Sequence, residues 1–503
     1  MYNQSRLFGR PGYIPLKEYV ADIDFMVQHG PWKVPLRSID RLHFQILKAV
    51  SRFSWFADAL HIMHGSNVSP AYAILLSYAQ KNGLVDLVGE KGLQHSRGYF
   101  SYYLNKKIAV AGREDTMTGQ GVAKDRATAF SKALGEMIER VVAGARDMNF
   151  EQVTASPQSV ISQRIPMVYP PRYHRFLSVQ KEKYNGLRHD SSIPIDWLMG
   201  KNLITNEQVL IPRKMTSWFI ANSQRKNVFV QATTNGSAGY FTKAGAALRG
   251  LLEVVQRDAF LVHWLTMIAP QVVRHDTLPE DLRMQVQKLE AYGVLVHILN
   301  VTAIPIPSIF IAVTNDKSIE ARQVILSGAS GLTFHDAIEN ALREMTIGLE
   351  MFYYPEKDSE VGLEKTELEP FVSRLGKLER QLYWRGAEKM AHFEWFISGE
   401  QASYHDVCKK YDTIGMKSDR QRLSRCLAIL QDLGTDYYPV VYFPKNSVQQ
   451  EMGFYVAQVF IPKAFPFYLL EYVGTFDSDR LAEFAQSKGV LHWKLNPFPH
   501  MFS

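Results

Sequence analysis

The segment ALGEMIER, Ala133 to Arg140, carries three charges, Glu136, Glu139 and Arg140, at spacings of three and one. On a helix this gathers two carboxylates and a guanidinium on one side of the rod. The residues around them are small and apolar: Ala133, Leu134, Met137, Val141, Val142 and Ala143. A second segment, GLLEVVQR from Gly250 to Arg257, repeats the arrangement with Glu253, Gln256 and Arg257. One E-x-x-E-R alone is usually a solvated face, with Glu136 and Arg140 in the favourable i,i+4 order worth about 0.3–0.5 kcal/mol. Two features set these segments apart. Their remaining residues are apolar, so the charges are half buried and need partners or an ion. Each also follows a glycine-containing stretch, GQG or NGSAG, that lets backbone approach a ligand closely. Carboxylates gathered on facing helices suit Mg2+, which takes hard oxygen ligands and shares them with phosphates. Arg140 and Arg257 can grip phosphate oxygens in a planar fork. The expectation is a magnesium–nucleotide site made by helices. No GxxxxGK[ST], GxGxxG or HExxH occurs, which removes the P-loop, Rossmann and zincin readings. His61 and His64 read as a structural pair, since no third ligand accompanies them.

The elements that must position these residues follow from the texture of the chain. Residues Ser38 to Val88 read as a small helical module. Apolar positions recur at helical spacing from Ile39 to Val50, Ser69-Pro70 opens a helix, Gly83 ends it, and GLVDLV follows as a strand. Three helices and a strand suggest a winged-helix-like unit or a plain helical cap. From about Arg97, strands alternate with helices. YFSYYL and KIAVAG read as strands and GREDTMTGQG as turn-rich, before a helix over Lys124–Arg146. NVFVQATTNGSAGY runs from strand to turn, and Thr242–Trp264 is helical. VLVHILNV, SIFIAVTN, YPVVYFP and FYVAQVFIP read as strands, and His335–Phe352 as a third helix. Glu356 to Lys417 reads as a charged, mostly helical peripheral region. The expected fold is α+β, with two or three helices bringing polar faces together over a sheet.

With 503 residues, several hundred can share one large core. The apolar share of 46% and charged share of 21% are those of an ordinary globular protein. The net charge of +7 is mild for this length, and no basic run or stripe argues for nucleic acid. The two cysteines, Cys408 and Cys426, form no C-x-x-C and read as reduced thiols. Neither a run of 18 apolar residues nor a signal-peptide core occurs, and a cytoplasmic location is expected.

The motif segments resemble those of YcaO-domain proteins. TGQGVAKDRATAFSKALGEMIERVVAG is similar to the first signature of that family, a G-K-G turn and a helix ending S-A-L-G-E-x-x-E-R. ATTNGSAGYFTKAGAALRGLLEVVQRDAF is similar to the second, and HDAIENALREM to the third. The likeness runs over about residues 97–503. It implies a YcaO-type ATP-binding domain over 93–503, with helices packed on a mixed β-sheet, the peripheral region at about 356–420 and a proline-containing tail at 495–503. Residues 1–92 form the N-terminal module. The resemblance implies Mg·ATP held by Glu136, Glu139, Glu253 and Glu344, with Arg140 and Arg257 on phosphates, Asn235 and Gln256 beside them, and Asp258 supporting the second helix.

It also implies a cyclodehydratase that turns Cys, Ser or Thr of a ribosomal precursor peptide into azolines, as in bacteriocin biosynthesis. Its expected partners are the precursor peptide, an E1-like leader-binding protein and often a flavin-dependent dehydrogenase, with a homodimer as the expected self-association. The N-terminal module would hold a leader peptide or dock on such a partner. Azoline-forming members often end in P-x-P-x-P, and this chain ends NPFPHMFS. That places Pro497, Phe498, Pro499 and His500 near the chemistry, with Pro497, Pro499 and His500 as the candidate catalytic residues. Departures from the family pattern are Gln256 for Glu, Gln120 for the lysine of G-K-G, Lys132 beside Ser131 for serine, Glu339 and Asn340 where arginine is expected, and Ile347 for Gln. The other readings are a thioamide-forming YcaO enzyme and a non-catalytic YcaO-like scaffold.

Overall fold

In the computed structural model the described residues are 152–216, 228–315, 324–353, 387–409, 416–444 and 453–502. They also include 13–15, 79, 82–91, 100–110, 113–123, 126–144, 368–376, 379–380 and 383–384. The helical module expected over 38–88 lies outside them except for its last residues.

The chain divides into two compact units, each described by itself. The first comprises Met1–Asp147, Ala238–Ala246 and Pro444–Val456. Its four strands, β1 (Tyr13–Pro15), β2 (Leu87–Lys91), β3 (Phe100–Val110) and β4 (Arg113–Ala123), pair antiparallel in that order. The helix α1 (Arg126–Gly144) packs on the last two. YFSYYL and KIAVAG thus fuse into one strand. REDTMTGQG, expected to turn, pairs residue for residue with it, from Val110↔Arg113 to Phe100↔Ala123. The glycines explain the misreading. Gly119 and Gly121 share one face of β4, and a Cβ on Gly119 would lie 2.4 Å from Ala133 O. On Gly121 it would lie 2.1 Å from Ala129 O and 2.3 Å from Ala133 N. They are there so that the helix backbone can lie against the strand, not to turn the chain. The helix answers with Ala129, Phe130, Ala133, Leu134, Met137 and Ile138, all fully buried at helical spacing.

The second unit comprises Met148–Ser237, Ala247–Phe443 and Ala457–Ser503. Beyond β4 the strands of the chain are, in order, β5 (Gln152–Ala155), β6 (His174–Arg175), β7 (Ile195–Asn202), β8 (Gln208–Pro212), β9 (Ser237–Tyr240), β10 (Gln271–Val273), β11 (Val294–Asn300), β12 (Ser308–Asn315), β13 (Val324–Ser330), β14 (Gln401–Ala402), β15 (Val440–Tyr442), β16 (Tyr455–Phe460) and β17 (Asp477–Ser478). One sheet runs β13-β12-β11-β10-β14, antiparallel but for its last pair. Another runs β5-β7-β15-β16-β9 with β8 beside β7, and β17 pairs with β6. The main helices are α2 (Lys243–Thr266), α3 (Glu280–Glu290), α4 (Phe334–Tyr353), α5 (Asp419–Asp432) and α6 (Asp479–Ser487).

The core of this unit is aromatic. Phe260 stacks on Phe310 at 4.7 Å, and Trp264 meets Trp384 and Phe396 edge-on. Trp384, Phe393 and Phe396 belong to the segment expected at the periphery. They are 2%, 0% and 0% exposed, so that part of it is a wall of the core. Its many charges outweighed, in the reading of the sequence, the three large aromatics spaced among them. Both cysteines are buried and form no disulfide, and burial pushes the Cys426 thiol up to about 12.

Candidate functional site

The two motif helices carry the same device, each within its own unit. In the first, Glu136 Oε2 accepts from the backbone N–H of Gln120 at 2.6 Å, and its Oε1 accepts from Arg140 Nη2 at 2.5 Å. Arg140 Nη1 donates to Thr118 O, and Glu139 Oε2 accepts from Gly239 N at 3.2 Å. In the second, Glu253 Oε2 accepts from Gly236 N at 2.8 Å, and its Oε1 accepts from Arg257 Nη2 at 2.6 Å. A glycine-bearing strand or turn thus presents a backbone N–H to the first glutamate of each helix, and the arginine four residues on closes the other oxygen. Gly236 sits at φ +79°, in the left-handed region, with Val459 O 2.1 Å from where a Cβ would be. Only glycine fits there.

Glu253 is 27% exposed and Arg257 14%, while Glu136 and Arg140 are each 30% exposed. The charges are half buried as expected. Arg257 lies over the Phe467 ring at 4.2 Å, and its Nε is buried without a hydrogen-bond partner among the described residues. Asn235 Oδ1 is likewise buried without a partner. Both sit at polar positions that a ligand would complete. Asn235 also lines a cleft inside the second unit, together with Gln231, Thr233, Val254 and Phe467. Gln256 is half-buried on the same helix, and Glu344 is exposed on α4.

The donor set fits a nucleotide and its cation. Each oxygen of Glu136 and of Glu253 accepts a described hydrogen bond, so both carboxylates are held in place. Among the described residues no three His, Cys, Asp or Glu side chains stand together as a metal cluster.

Asp258 is different from its neighbours. It is 0% exposed, and both oxygens are occupied. Arg480 Nε donates to Oδ1 at 3.0 Å and Nη2 to Oδ2 at 2.6 Å, while Phe465 N donates to Oδ1 at 2.7 Å. Burial pulls the Arg480 pKa down, but Asp258 outweighs it and carries it above its ordinary value. Asp258 therefore props the helix against α6 and has no oxygen open to a cofactor.

The tail, where Pro497, Pro499 and His500 are the expected catalytic residues, is fastened inside the second unit. Asn496 N donates to Leu265 O at 2.9 Å, and its Nδ2 to Trp264 O at 3.1 Å, fastening the tail to the end of α2. Trp264 Nε1 and Trp384 Nε1 donate to Phe498 O and Pro499 O at 3.2 and 3.0 Å. Phe498 stacks on His392 at 3.8 Å, and Phe502 comes within 5.9 Å of the Arg257 guanidinium. Pro499 is buried and Pro497 half-buried. His500, read as catalytic, is 0% exposed, with Nε2 3.0 Å from Tyr468 O and Arg380 Nη1 against both ring nitrogens. Burial first, and Arg380 second, hold its imidazole neutral, well below the ordinary range. A ring so enclosed holds the tail and has no free nitrogen for a substrate. Arg380, Tyr468 and Glu471 around it were not singled out from the sequence, where nothing in their spacing marks them.

Comparison with known proteins places this geometry. The sequence model described as YcaO cyclodehydratase, ATP-ad Mg2+-binding matches residues 118–464. No curated protein matches the chain in sequence. A heterocyclase solved in complex with substrate and cofactor has the same fold, with TM-score 0.65 and 18% identity, over 85% of this chain and 57% of that one. The heterocyclase TruD matches with TM-score 0.54 and 19% identity, over 74% of this chain and 50% of its own. YcaO from Methanopyrus kandleri, bound with AMPPCP and Mg2+, matches with TM-score 0.53 and 17% identity over 78% and 91%. The chain spans about half the length of the two heterocyclases. With the family's sequence model covering more than half of its residues, the chain belongs to the YcaO family, whose ligands are ATP and Mg2+.

Proposed function

We propose that this chain is an ATP-dependent peptide cyclodehydratase, converting Cys, Ser or Thr of a ribosomal precursor peptide into an azoline. The observation that carries the reading is the doubled device: a glutamate fixed by a glycine-side N–H and an arginine at i+4, twice in one YcaO chain. ATP, when bound with Mg2+, supplies the phosphoryl group that leaves with the former amide oxygen once the side-chain nucleophile has added to the preceding carbonyl. In this reading Glu136, Glu139, Glu253 and Glu344 supply carboxylate oxygens to the cation. Arg140 and Arg257 hold phosphate oxygens with donors left over from their glutamate pairs. Asn235 offers an amide oxygen that is buried without a partner among the described residues. The work of these residues is positioning and charge neutralisation. The glutamates are pre-fixed by hydrogen bonds, so little reorganisation is needed at the moment of reaction.

Partner proteins are part of the reading. Solved relatives include the E. coli microcin synthetase McbBCD complex, also with pro-MccB17 bound. A leader-binding partner and a precursor peptide are proposed here, with a flavin-dependent dehydrogenase acting afterwards. The seated tail, with Phe502 beside Arg257, favours azoline formation over the thioamide reading. The test is co-expression with a short Cys/Ser/Thr/Gly-rich peptide encoded beside the gene. Loss of one water per ring with ATP consumption is expected. Exchange of oxygen for sulfur would favour the thioamide enzyme, and absence of nucleotide binding with partner and peptide present would favour a scaffold.

A further inference from the structure

A second cluster of ionisable groups lies beneath the tail, inside the second unit, and the motif device does not use it. Arg380 is 1% exposed, Tyr468 2%, Glu471 5% and His500 0%. Arg380 Nη1 lies 3.1 Å from His500 Nδ1 and 2.5 Å from Nε2, and His500 Nε2 lies 3.0 Å from Tyr468 O. A guanidinium only donates and a backbone carbonyl only accepts. Tyr468 O can only accept, so Nε2 carries the proton toward it, and Nδ1 is left to accept 3.1 Å from Arg380 Nη1, which stands nearer still, at 2.5 Å, to Nε2. The imidazole is then neutral. Glu471 Oε1 stands 3.8 Å from Arg380 Nη1, too far for a hydrogen bond. Arg380 Nε and Nη2, Glu471 Oε1 and Tyr468 Oη are all buried without hydrogen-bond partners among the described residues. A lone buried cation thus faces a carboxyl across a gap, and the tail's histidine is its best-placed acceptor.

We infer that Arg380, Glu471 and His500 form a buried latch that seats tail residues 496–502 on the end of helix α2, with Arg380 as the positioning residue acting through His500. Through the tail it also fixes Phe502 beside Arg257. The inference concerns the seating of the tail and stands apart from the reaction proposed above. Among the described residues the charged and titratable groups facing the latch are few. Arg380, Tyr468 and the backbone of His500 face Glu471. Arg380 and Arg257 face His500. Glu379, Glu471 and Tyr468 face Arg380.

The linkage gives the latch a recognisable signature. Burial raises Glu471 from 4.5 to about 7, against the pull of Arg380. Burial and Arg380 together depress His500 well below 6.5. With the tail lifted into water, both return to their ordinary values. Between 4.5 and 6.5 the lifted state holds one proton, on His500, and the seated state holds one, on Glu471. Seating therefore moves a proton from imidazolium to carboxyl with no net uptake, and tail stability is flat with pH there. Taken singly the two slopes are opposite. The raised Glu471 favours seating at low pH and loses that effect as pH rises toward about 7. The depressed His500 favours seating above 6.5 and loses that effect as pH falls.

The test is hydrogen exchange of the full chain, reading protection of the 496–502 amides relative to the same peptide free in solution, from about pH 5 to 8. Wild type is expected to be flat from about pH 5 to 6.5 and to weaken about threefold by pH 8. Glu471→Gln keeps the shape and removes the compensating proton. Its protection is expected to fall about tenfold per unit as pH drops below about 6.5. His500→Asn is expected to show the opposite slope, weakening as pH rises. Arg380→Met, which leaves Nδ1 without its donor, is expected to lower tail protection about tenfold or more at every pH. A Glu471→Gln profile as flat as wild type, or tail amides exchanging as in the free peptide before any substitution, overturns the latch. Should Arg380→Met or His500→Asn fail to fold, the Glu471→Gln profile alone decides.

Discussion

Replacing Gly121 by alanine adds one methyl group against the backbone of the first motif helix. The new Cβ would stand 2.1 Å from Ala129 O and 2.3 Å from Ala133 N, about 1.3 and 1.1 Å short of the 3.4 Å where ordinary contact begins. Neither atom is the end of a flexible side chain, so helix and strand must part. Overpacking of this kind costs about 1–3 kcal/mol. A retreat of about 1.3 Å also carries Glu136 Oε2 away from Gln120 N, now 2.6 Å apart, to beyond hydrogen-bond reach. A charge-assisted hydrogen bond of that kind is worth about 1.5–3 kcal/mol. Together the loss is about 3–5 kcal/mol, or roughly 10 °C in the melting of this unit. Gly135→Ala is the paired control. Its Cβ meets nothing nearer than Phe454 Cζ at 3.8 Å, and alanine inside a helix gains about 0.5–1 kcal/mol over glycine. Thermal melting of both variants, with ATP consumption, gives the assay. The reasoning fails if Gly121→Ala melts with wild type, or if Gly135→Ala loses as much.

Glu136→Gln and Arg257→Ala are expected to abolish ATP turnover while melting within a few degrees of wild type, because both side chains are partly exposed. Wild-type turnover in both would remove the site assignment. Asp258→Asn strips the charge from a fully buried pair and leaves Arg480 unmatched; a loss of about 3–5 kcal/mol is expected, read by denaturant unfolding. Burial depresses His174 from 6.5 to about 4 and His263 to about 3, so both fold neutral. Their contribution is full above 6.5 and is lost as pH falls toward 4 and 3, about 3 kcal/mol for His174. The acid limb of a pH–stability curve should flatten in His174→Gln, and an unchanged limb would contradict the assignment.

The parts of the fold legible in the sequence are those whose signal is local. Helices α1, α2 and α4 and the strands VLVHILNV and SIFIAVTN came out within a few residues, because each has one dominant period. Turn chemistry misled where glycine served packing. GQG lies mid-strand, whereas NGSAG does contain a turn, at Gly236. The first glutamate and the arginine of each motif were legible because i and i+4 are neighbours on any helix. The partners of Asp258 and His500 were not legible, because Arg480 and Arg380 lie at sequence separations of 222 and 120. No spacing rule reaches that far, and only the folded chain brings the arginines beside them.

The same contrast explains why an apolar helix carries a charged stripe. On α2, Glu253, Arg257 and Asp258 are neighbours with opposite fates. Asp258 turns into the core, is saturated by three hydrogen bonds and adds structural order. Glu253 and Arg257 stay at the boundary, with Arg257 keeping a buried donor unfilled. A stripe meant only to solvate the helix would not hold its glutamate on a backbone N–H, nor lay its arginine on Phe467 and Phe502. Fixing both ends restricts rotamers at an entropic cost, which for an exposed pair outweighs much of what the ion pair returns. The arrangement makes sense if a third, strongly charged group completes it, and a polyphosphate with its cation is the group that fits both signs at once.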